Sequence, residues 1–447
     1  MLPAVRIPSS FVALKGSDIG SPMVCDATML DAFQRRALDY FLLQANPVTG
    51  LVADRDRPGF PASIAATGMG LAAYIVAAEQ GWMSREEACR RTLMTLRFLW
   101  SSHQGPERFA SGYKGFFYHF LDMKTGQRTW NSELSTIDTA LLMAGVLLSA
   151  RYFHLDFEGE LEIRGLADNL YRRVDWRWAL NGGPLICHGW KPGRGFLPYH
   201  WVGYDEALLL YVLALGSPTH RVGPESYAGW LSGYRWKRLY GQEFLYAGPL
   251  FIHQFSHLWI DFRGIRDVVM RERGIDYFEN SRRATLVQRE YAIRNPRGFK
   301  GYDHNNWGLT ASDGPGRRLD TVDSAGRRFF AYRARGVPFG PDDGTVSPWA
   351  AFASLPFAPE IVLPTVRHFH ALEPAHDRSC SAGATFNATF RNSDGGGWRS
   401  TDHVGINQGP IVIMFENYRS ELIWRLLRTC PYIIDGLRSA CFTGGWL

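Results

Sequence analysis

Paired cysteines are missing from this sequence of 447 residues. The six cysteines are scattered, and no two of them form a Cys-x-x-Cys pair. Such pairs are the usual sequence signature of a structural zinc site, so we predict no metal site and no cofactor. The last three cysteines share one C-terminal stretch in which a disulfide could form. The six residues are Cys25, Cys89, Cys187, Cys380, Cys430 and Cys441.

Long apolar runs are also missing. No segment approaches the roughly twenty apolar residues of a membrane-spanning helix, so we predict no membrane span. The N-terminal residues MLPAVRIPSS lack the charged and apolar parts of a signal peptide. The sequence therefore leaves two readings open: a cytoplasmic protein, or an exported one whose leader has been removed.

A strong excess of charge of one sign is absent as well. The 49 basic and 43 acidic residues give a net charge of +6, too little over this length to indicate a partner. The segment from Arg294 to Arg335 is locally basic, but it lacks the alternation of basic and aromatic residues typical of a nucleic-acid module. We predict no nucleic-acid partner. A solvated loop is the favoured reading, and attraction to an anionic group on a substrate is the alternative.

Aromatic residues, by contrast, are abundant. They make up 14% of the chain and include fifteen tryptophans. A large aromatic core would explain them, but aromatic rings also stack on the apolar faces of sugars. Three tryptophans lie inside or beside acidic motifs, and we predict that they line a cleft: Trp201, Trp259 and Trp307.

Helical periodicity recurs along the chain in about eleven segments. Among them are Ser135 to Tyr152, Leu250 to Arg271 and Asn407 to Leu427. Short strands are predicted near Phe116–Leu121 and Phe329–Tyr332. Long connections rich in Gly, Pro, Trp and Asn join the helices, and loops of such length are often functional. This pattern predicts a single α-helical domain over residues 26–447, after an N-terminal extension of residues 1–25, with loops that build a cleft at one end.

Two acidic motifs stand immediately before helical segments. In the first, Ser135-x-x-Asp138 resembles a capping box, which puts Asp138 in the first helical turn and Glu133 in the preceding loop. In the second, Glu206 follows Trp201 and Tyr204. A helix start lowers the pKa of a carboxyl group, so Glu206 can serve as a general acid only if burial raises that pKa again.

Two further stretches contain polar groups suited to chemistry or binding. Asp342 and Asp343 precede a glycine, where an Asp-Gly turn is the simpler explanation. The segment from His253 to Arg263 contains His253, Gln254, His257 and Trp259. Its two histidines lie four residues apart and would share a helix face, but the HExxH pattern of zinc proteases is absent. Sugar hydroxyl binding and a satisfied helix interior both fit this segment.

Paired carboxyl groups are what glycoside hydrolysis requires, one as the acid and one as the base or nucleophile. By spacing alone, the carboxyl groups above cannot be distinguished from helix caps.

A resemblance adds to this reading. Seven motifs between about Asp26 and Trp424 resemble the glucoamylase-like domain of bacterial glycoside hydrolase family 144. They are GFFYHFLD (Gly115–Asp122), SELSTIDTALLMAG (Ser132–Gly145), GYDEALLLYVLALGSPTH (Gly203–His220), GPLFIHQFSHLWIDFRGIRD (Gly248–Asp267), DYFENSRRATLVQR (Asp276–Arg289), WGLTASDGP (Trp307–Pro315) and INQGPIVIMFENYRS (Ile406–Ser420).

The resemblance implies an (α/α)6 barrel that hydrolyses β-1,2-glucan. It implies Glu206 as the general acid, with Glu133 and Asp138 as further acidic residues of the cleft, and extends less directly to Asp343 as a fourth catalytic candidate. Further substrate-binding residues are predicted at Asp54, Arg55, Tyr118, Trp201, Tyr204, His253, Gln254, His257, Trp259, Asn280, Arg282, Trp307, Asp313 and Asp342.

The leading hypothesis is thus an inverting, endo-acting β-1,2-glucan hydrolase that functions as a monomer. The alternatives are an exo-acting sophorohydrolase or β-glucosidase, and a transglycosylase on the same glucans. A glucan-binding protein without catalysis is the alternative from another class. The family resemblance suggests a periplasmic or secreted protein.

Overall fold

The computed structural model describes residues 22–316, 321–323, 326–372, 384–391 and 396–447. Most of the predicted N-terminal extension therefore lies outside the described residues, as does Cys380. The helices of the described part are α1 (Pro22–Leu43), α2 (Ile64–Glu79), α3 (Arg85–Ser101), α4 (Thr136–Tyr152), α5 (Glu158–Arg173), α6 (Leu208–Gly216), α7 (Pro224–Leu231), α8 (Val268–Arg273), α9 (Tyr277–Arg294), α10 (Pro348–Phe352), α11 (Pro359–Leu372), α12 (Gly405–Ser420), α13 (Leu422–Leu427) and α14 (Pro431–Ser439).

Short strands connect the helices, and they are β1 (Ala62–Ser63), β2 (Gly112–Tyr113), β3 (Phe116–Tyr118), β4 (Phe120–Leu121), β5 (Leu134–Ser135), β6 (Gly189–Lys191), β7 (Gly195–Phe196), β8 (Trp236–Leu239), β9 (Gln242–Leu245), β10 (Ala311–Ser312), β11 (Thr321–Val322), β12 (Arg328–Phe329), β13 (Arg333–Ala334), β14 (Thr345–Val346), β15 (Phe386–Arg391) and β16 (Gly397–Arg399). Five of them form an antiparallel sheet in the order β2-β3-β5-β6-β7, and β4 pairs with β1. These strands lead directly into helices: β1 into α2, and β5 into α4.

The helices form an inner and an outer layer. Helices α2, α4 and α6 are apolar on nearly all sides, and all nine residues of α6 are buried. Helix α12 is also mostly buried, although it contains the polar residues Asn407, Gln408, Glu416 and Asn417. A helix that is apolar all round has to lie inside the protein. Accordingly α2 packs against both α4 and α12, and α4 packs against α6. The outer helices include α3 and α5, which bury one face only and pack against α2 and α4 respectively.

The predicted helical fold is confirmed, but the number of strands was not anticipated. Strands of two or three residues carry too little alternation to be seen in a sequence pattern. Two predicted long helices were also wrong. The helix predicted from Asn407 to Leu427 is divided into α12 and α13 at Glu421, which has a φ of +56°. The segment predicted as a helix from Leu250 to Arg271 forms two short 3-10 turns, Leu250–His253 and Ser256–Leu258, before α8 begins.

The physical reason for that error lies in tertiary contacts and one glycine. The side chain of Gln254 donates hydrogen bonds to the Ala350 carbonyl at 2.6 Å and to Ser354 Oγ at 2.8 Å. Gly264 has a φ of +75°, a left-handed conformation that cannot continue an α-helix. Contacts outside the segment therefore take precedence over its helical periodicity.

Two absences concern the described residues. Within them, no helix is long and apolar enough to cross a membrane. Cys430 and Cys441 are both free thiols, so they do not form the disulfide considered from the sequence.

Glycines set the spacing between inner helices α2 and α4. A Cβ on Gly145 would lie 2.2 Å from the carbonyl oxygen of Gly68, and a Cβ on Gly68 would lie 2.6 Å from the Cα of Leu142. Both contacts are with backbone, which cannot rotate away as a side chain can. The two helices can approach this closely only because both positions lack a side chain.

We therefore expect Gly145→Ala to lower the free energy of unfolding by roughly 1–3 kcal/mol, the usual cost of overpacking a core. The control is Gly165→Ala in α5, where an added Cβ meets no atom within 4 Å. Alanine favours a helix over glycine, so this control should be neutral or stabilising. Urea unfolding of the three proteins measures the difference. Equal stability of the two variants would contradict the close packing of α2 on α4.

Candidate active site

The N-terminal ends of the four inner helices face one cavity of about 770 Å³. Ser63 precedes α2, Ser135 precedes α4, Glu206 lies two residues before α6, and Val404 precedes α12. The residues that line the cavity are Asp54, Arg55, Phe60, Ser63, His119, Phe120, Trp130, Glu133, Ser135, Ile137, Asp138, Leu141, His188, Leu197, Trp201, Glu206, Phe251, Phe255, Ala311, Ser312, Asp313, Ala331, Tyr332, Trp349, Val404, Ile406 and Asn407.

Glu206 sits in the turn that leads into α6. Its carbonyl oxygen accepts a hydrogen bond from Ser256 Oγ at 3.2 Å, and the same hydroxyl accepts one from the backbone N–H of Leu209. Burial raises the pKa of the Glu206 carboxyl well above its ordinary value, and the nearby charges of Asp205 and Asp138 raise it further. Burial therefore raises the pKa of Glu206 by more than the helix start lowers it, as a general acid at this position requires.

His119 links two other carboxyl groups of the cavity. Its Nδ1 lies 2.9 Å from Glu133 Oε1, and its Nε2 lies 3.7 Å from Asp138 Oδ2. Strands β3, β4 and β5 produce this arrangement, because the His119 N–H also donates to the Glu133 carbonyl at 2.9 Å. We call His119, Glu133 and Asp138 the charged cluster.

Asp138 both takes part in the cap of α4 and lines the cavity, the two positions considered from the sequence. Ser135 caps α4, and its hydroxyl oxygen accepts from the Asp138 N–H at 3.2 Å, as the capping pattern predicts. The same hydroxyl donates to the Asp138 carboxylate. This carboxylate also lines the cavity beside His119, so participation in a helix cap does not remove it from the site.

Within the charged cluster, His119 and Glu133 hold each other in their charged forms. Burial alone would lower the pKa of His119, but Asp138, Glu133 and Asp54 together raise that pKa to about 9. Burial alone would raise the pKa of Glu133, but its hydrogen bond and ion pair with His119 lower it to about 2. An imidazolium therefore stands beside the Glu133 carboxylate, while Glu206 retains its proton to higher pH.

Asp54, Arg55 and Asp313 form a second polar group on the cavity lining. The guanidinium of Arg55 binds both carboxylate oxygens of Asp313, with the longer contact at 3.2 Å. Its Nε lies 3.4 Å from Asp54, and one of its terminal nitrogens lies 3.6 Å from Asp402. Arg55 thus holds together three loops around the cavity, and these groups suit hydroxyl binding rather than proton transfer.

The three tryptophans predicted to line the cleft have different positions. Trp201 lines the cavity, but it is only 7% exposed and stacks on His188 with 3.8 Å between ring centroids. Trp259 and Trp307 are fully buried and do not reach the cavity. The expectation for these two is corrected: they pack in the core, and Trp307 donates to Thr365 Oγ1 at 2.9 Å.

Asp342 and Asp343 also lie away from the cavity lining. Asp343 is fully buried and forms an ion pair with Arg335 at 2.7 Å. Asp342 accepts hydrogen bonds from the hydroxyl groups of Tyr291 and Tyr302, at 2.7 and 2.6 Å. The expectation that Asp343 is catalytic and Asp342 binds substrate is therefore corrected, because each carboxylate is used to hold its loop in place.

The other predicted binding residues have structural contacts outside the cavity lining. Each of them has a partner within the fold. Two are ring contacts, Tyr118 with the Arg128 guanidinium and Tyr204 with Tyr277. The others are hydrogen bonds of His253 with the Ala247 carbonyl, Gln254 with Ala350, His257 with Ser281 and Asn280 with Leu245, and the ion pair of Arg282 with Glu360. The seven residues of the sequence prediction that do line the cavity are Asp54, Arg55, Glu133, Asp138, Trp201, Glu206 and Asp313.

Sequence reasoning did not select several residues of the cavity. His119 was inside the quoted stretch GFFYHFLD, but nothing in the local sequence shows that Glu133, fourteen positions later, lies beside it. The Phe, Tyr and Trp residues missed are Phe60, Phe120, Trp130, Phe251, Phe255, Tyr332 and Trp349. Phe60, Trp130 and Tyr332 stand in turns and loops, and Phe120 in a strand of two residues, where no periodicity marks them. No group of three or more metal-ligating side chains occurs within the described part of the chain.

The raised pKa of His119 predicts a pH-dependent stability. A group whose pKa is higher in the folded state stabilises fully below its unfolded pKa, near 6.5, and this stabilisation is lost as pH rises toward about 9. We expect the free energy of unfolding to fall by roughly 1–3 kcal/mol across this window. In His119→Gln this decline should be smaller, and the part that remains comes from the raised pKa of Glu206; urea unfolding at a series of pH values measures both.

The matched control is His103→Gln. His103 also lies 3.0 Å from a glutamate, Glu107, but both side chains are exposed, so solvent screens the pair. This control should keep the decline of the wild type. An identical decline in His119→Gln would show that His119 is not held as an imidazolium by the charged cluster.

Residues 198–431, just over half of the chain, match the family model Glycoamylase, described as "Putative glucoamylase". A protein of Bacteroides uniformis with the same description is 31% identical, with a TM-score of 0.83 over 97% of this chain and 100% of that one. The endo-β-1,2-glucanase of Chitinophaga pinensis, solved with sophorotriose and glucose, is 28% identical, with a TM-score of 0.82 over 94% of this chain and 99% of that one.

An exo-β-1,2-glucooligosaccharide sophorohydrolase of Parabacteroides distasonis is 29% identical over 450 residues. The match covers 92% of this chain but 58% of that protein, so the chain spans less than two thirds of the length of this curated relative. These similarities agree with the resemblance to glycoside hydrolase family 144 seen in the sequence motifs. The chain belongs to this glucoamylase-like family.

Proposed function

We propose that the chain is a glycoside hydrolase that cleaves β-1,2-linked glucans. The observation that carries this proposal is that one cavity is lined both by Glu206, whose pKa is raised by burial, and by Glu133, whose pKa is lowered by its contact with His119. Glycoside hydrolysis needs this division, because one carboxyl group gives a proton to the leaving oxygen while an ionised carboxylate activates the attacking water or itself attacks the anomeric carbon.

Glu206 has the properties of the general acid. A carboxyl group can donate a proton at neutral pH only when its pKa is raised toward that pH. Burial and the charges of Asp205 and Asp138 raise the pKa of Glu206 in this direction. Glu206 gives its proton to the oxygen of the leaving sugar, directly or through a substrate hydroxyl.

The general base is one of the two carboxylates beside His119, Glu133 or Asp138. Both line the cavity, and His119 fixes the orientation of each. The imidazolium of His119 keeps Glu133 ionised, but the low pKa of Glu133 also makes it a weak base. In the inverting mechanism proposed, the base activates a water molecule on the face of the sugar opposite the leaving group.

The charge of the cavity fits an uncharged substrate. Five carboxyl groups line it, against one arginine and two histidines. Burial lowers the pKa of one of those histidines, His188, so it adds little positive charge. An anionic ligand would be repelled here, whereas carboxylates accept hydrogen bonds from sugar hydroxyls well. A neutral glucan is the substrate class that agrees with both this lining and the names of the relatives.

We infer endo action and a closed architecture as the finer parts of this proposal. The two helical layers would close into an (α/α)6 barrel formed by one domain over residues 26–447, functioning as a monomer. The sophorohydrolase relative favours an alternative, exo-acting release of sophorose from a chain end. Both modes use the same Glu206 chemistry.

Product analysis distinguishes these modes. Linear β-1,2-glucan is incubated with the protein, with laminarin and a cellulose derivative alongside. The proposal predicts cleavage of β-1,2-glucan alone, with early products of many lengths; sophorose as the sole early product would instead establish the exo alternative. Absence of cleavage of every glucan would overturn the proposed function.

The substitution Glu206→Gln tests the acid directly, because it keeps the shape of the side chain and removes its titratable proton. The turnover number on β-1,2-glucan should fall by roughly 10²–10⁴-fold, the usual worth of general acid catalysis. KM should change little, since the ground-state contacts remain.

A matched control is Glu225→Gln, the same substitution at an exposed glutamate of α7. It should leave both kinetic constants unchanged. Near-normal turnover by Glu206→Gln would remove Glu206 from the mechanism.

A further inference from the structure

A continuous row of rings lines one side of the cavity. His119 stacks on Phe120 with 3.9 Å between ring centroids, and Phe120 contacts Trp130 edge to face at 5.1 Å. Trp130 in turn meets Phe60 at 5.3 Å with the ring planes nearly perpendicular. All four side chains line the cavity, and we call them the aromatic wall. Its inner end is therefore part of the charged cluster.

Trp130 is the most exposed ring of this wall. Its side chain is 55% exposed, although Phe60 and Phe120 hold its ring from two sides. Phe60 itself is less available, because the guanidinium groups of Arg55 and Arg57 lie over its ring, at 5.8 and 5.4 Å from the centroid. Trp130 thus offers a large apolar surface that is fixed in position and open to a ligand.

The backbone at Trp130 adopts a conformation that tryptophan does not favour. Trp130 and Asn131 have φ values of +53° and +50°, and the Ser132 N–H donates to the Thr129 carbonyl at 3.0 Å to close the turn. Both central residues of such a turn need the left-handed region, which glycine and asparagine adopt readily and tryptophan does not. Residues kept in unfavourable conformations often mark a functional position.

The turn also lies next to the chemistry. Glu133 follows Trp130 by three residues, and three residues of extended chain span at most about 11 Å. The turn is anchored inward as well, because the Thr129 N–H donates to the Phe120 carbonyl at 3.1 Å. A glucan chain cleaved beside the charged cluster would therefore pass along the aromatic wall as it leaves the cavity.

On the basis of the glucan hydrolase function above, we propose that Trp130 is a stacking platform for a glucose unit remote from the bond that is cleaved. The apolar face of the pyranose covers the exposed part of the indole, which favours binding without a charged contact. This platform makes the protein prefer longer oligosaccharides, because only they reach from the charged cluster to Trp130.

Trp130→Asn tests the platform without damaging the turn. Asparagine accepts positive φ, so the variant should melt at the same temperature or higher. Its affinity is measured by isothermal titration calorimetry with linear β-1,2-gluco-oligosaccharides of increasing length, in the Glu206→Gln background, in which cleavage is slow. Binding of the longer chains should weaken by roughly threefold to thirtyfold, and binding of the shortest chain should not change.

Trp100→Asn is the matched control, since Trp100 is 41% exposed on α3 and does not line the cavity. It should bind every chain as the Glu206→Gln parent does. Equal affinity of Trp130→Asn and the parent for all lengths, or an equal loss at every length, would overturn the platform while leaving the hydrolase function intact. A parent that binds none of the oligosaccharides would overturn the proposed function itself.

Discussion

The N-terminal ends of α2, α4, α6 and α12 meet at one cavity, and the placement of the candidate catalytic groups follows from that convergence. The close approach of the inner helices depends on residues without side chains, as at Gly68 and Gly145. Glu133 and Asp138 stand just before and at the start of α4, and Glu206 stands just before α6. Glu133 and Asp138 at α4, and Glu206 at α6, reach the same cavity for this reason.

The same convergence creates an electrostatic contrast. Helix starts favour ionised carboxylates, and His119 adds a positive charge beside Glu133 and Asp138. Glu206 stands at a similar helix start, yet burial and the neighbouring carboxylates raise its pKa. Desolvation thus outweighs the helix effect at α6, whereas the ion pair outweighs desolvation at Glu133. In this way the fold raises the pKa of one glutamate, Glu206, and lowers the pKa of another, Glu133.

Local rules predicted part of this site from the sequence, and the rest depended on tertiary contacts. The cap of α4 by Ser135 was predictable, because it involves residues three positions apart. The position of Glu206 in a cavity followed from family motifs, not from spacing. His119 was missed because its partners are brought to it by strand pairing. Asp343 was misjudged because its buried partner, Arg335, cannot be identified from a short acidic motif. Trp259 and Trp307 show that an aromatic residue beside an acidic motif is often part of the core.

A protonated Glu206 opposite an ionised Glu133 is the central claim, and the Glu206 carboxyl group can be observed directly. Infrared difference spectra between the wild type and Glu206→Gln, recorded across a pH series, isolate the C=O stretch of the protonated acid. The account predicts that this band persists well above the ordinary glutamate pKa of about 4.3 and disappears only near or above neutral pH. Loss of the band near that ordinary value would contradict the account, because Glu206 would then be an anion at the pH at which it has to donate a proton.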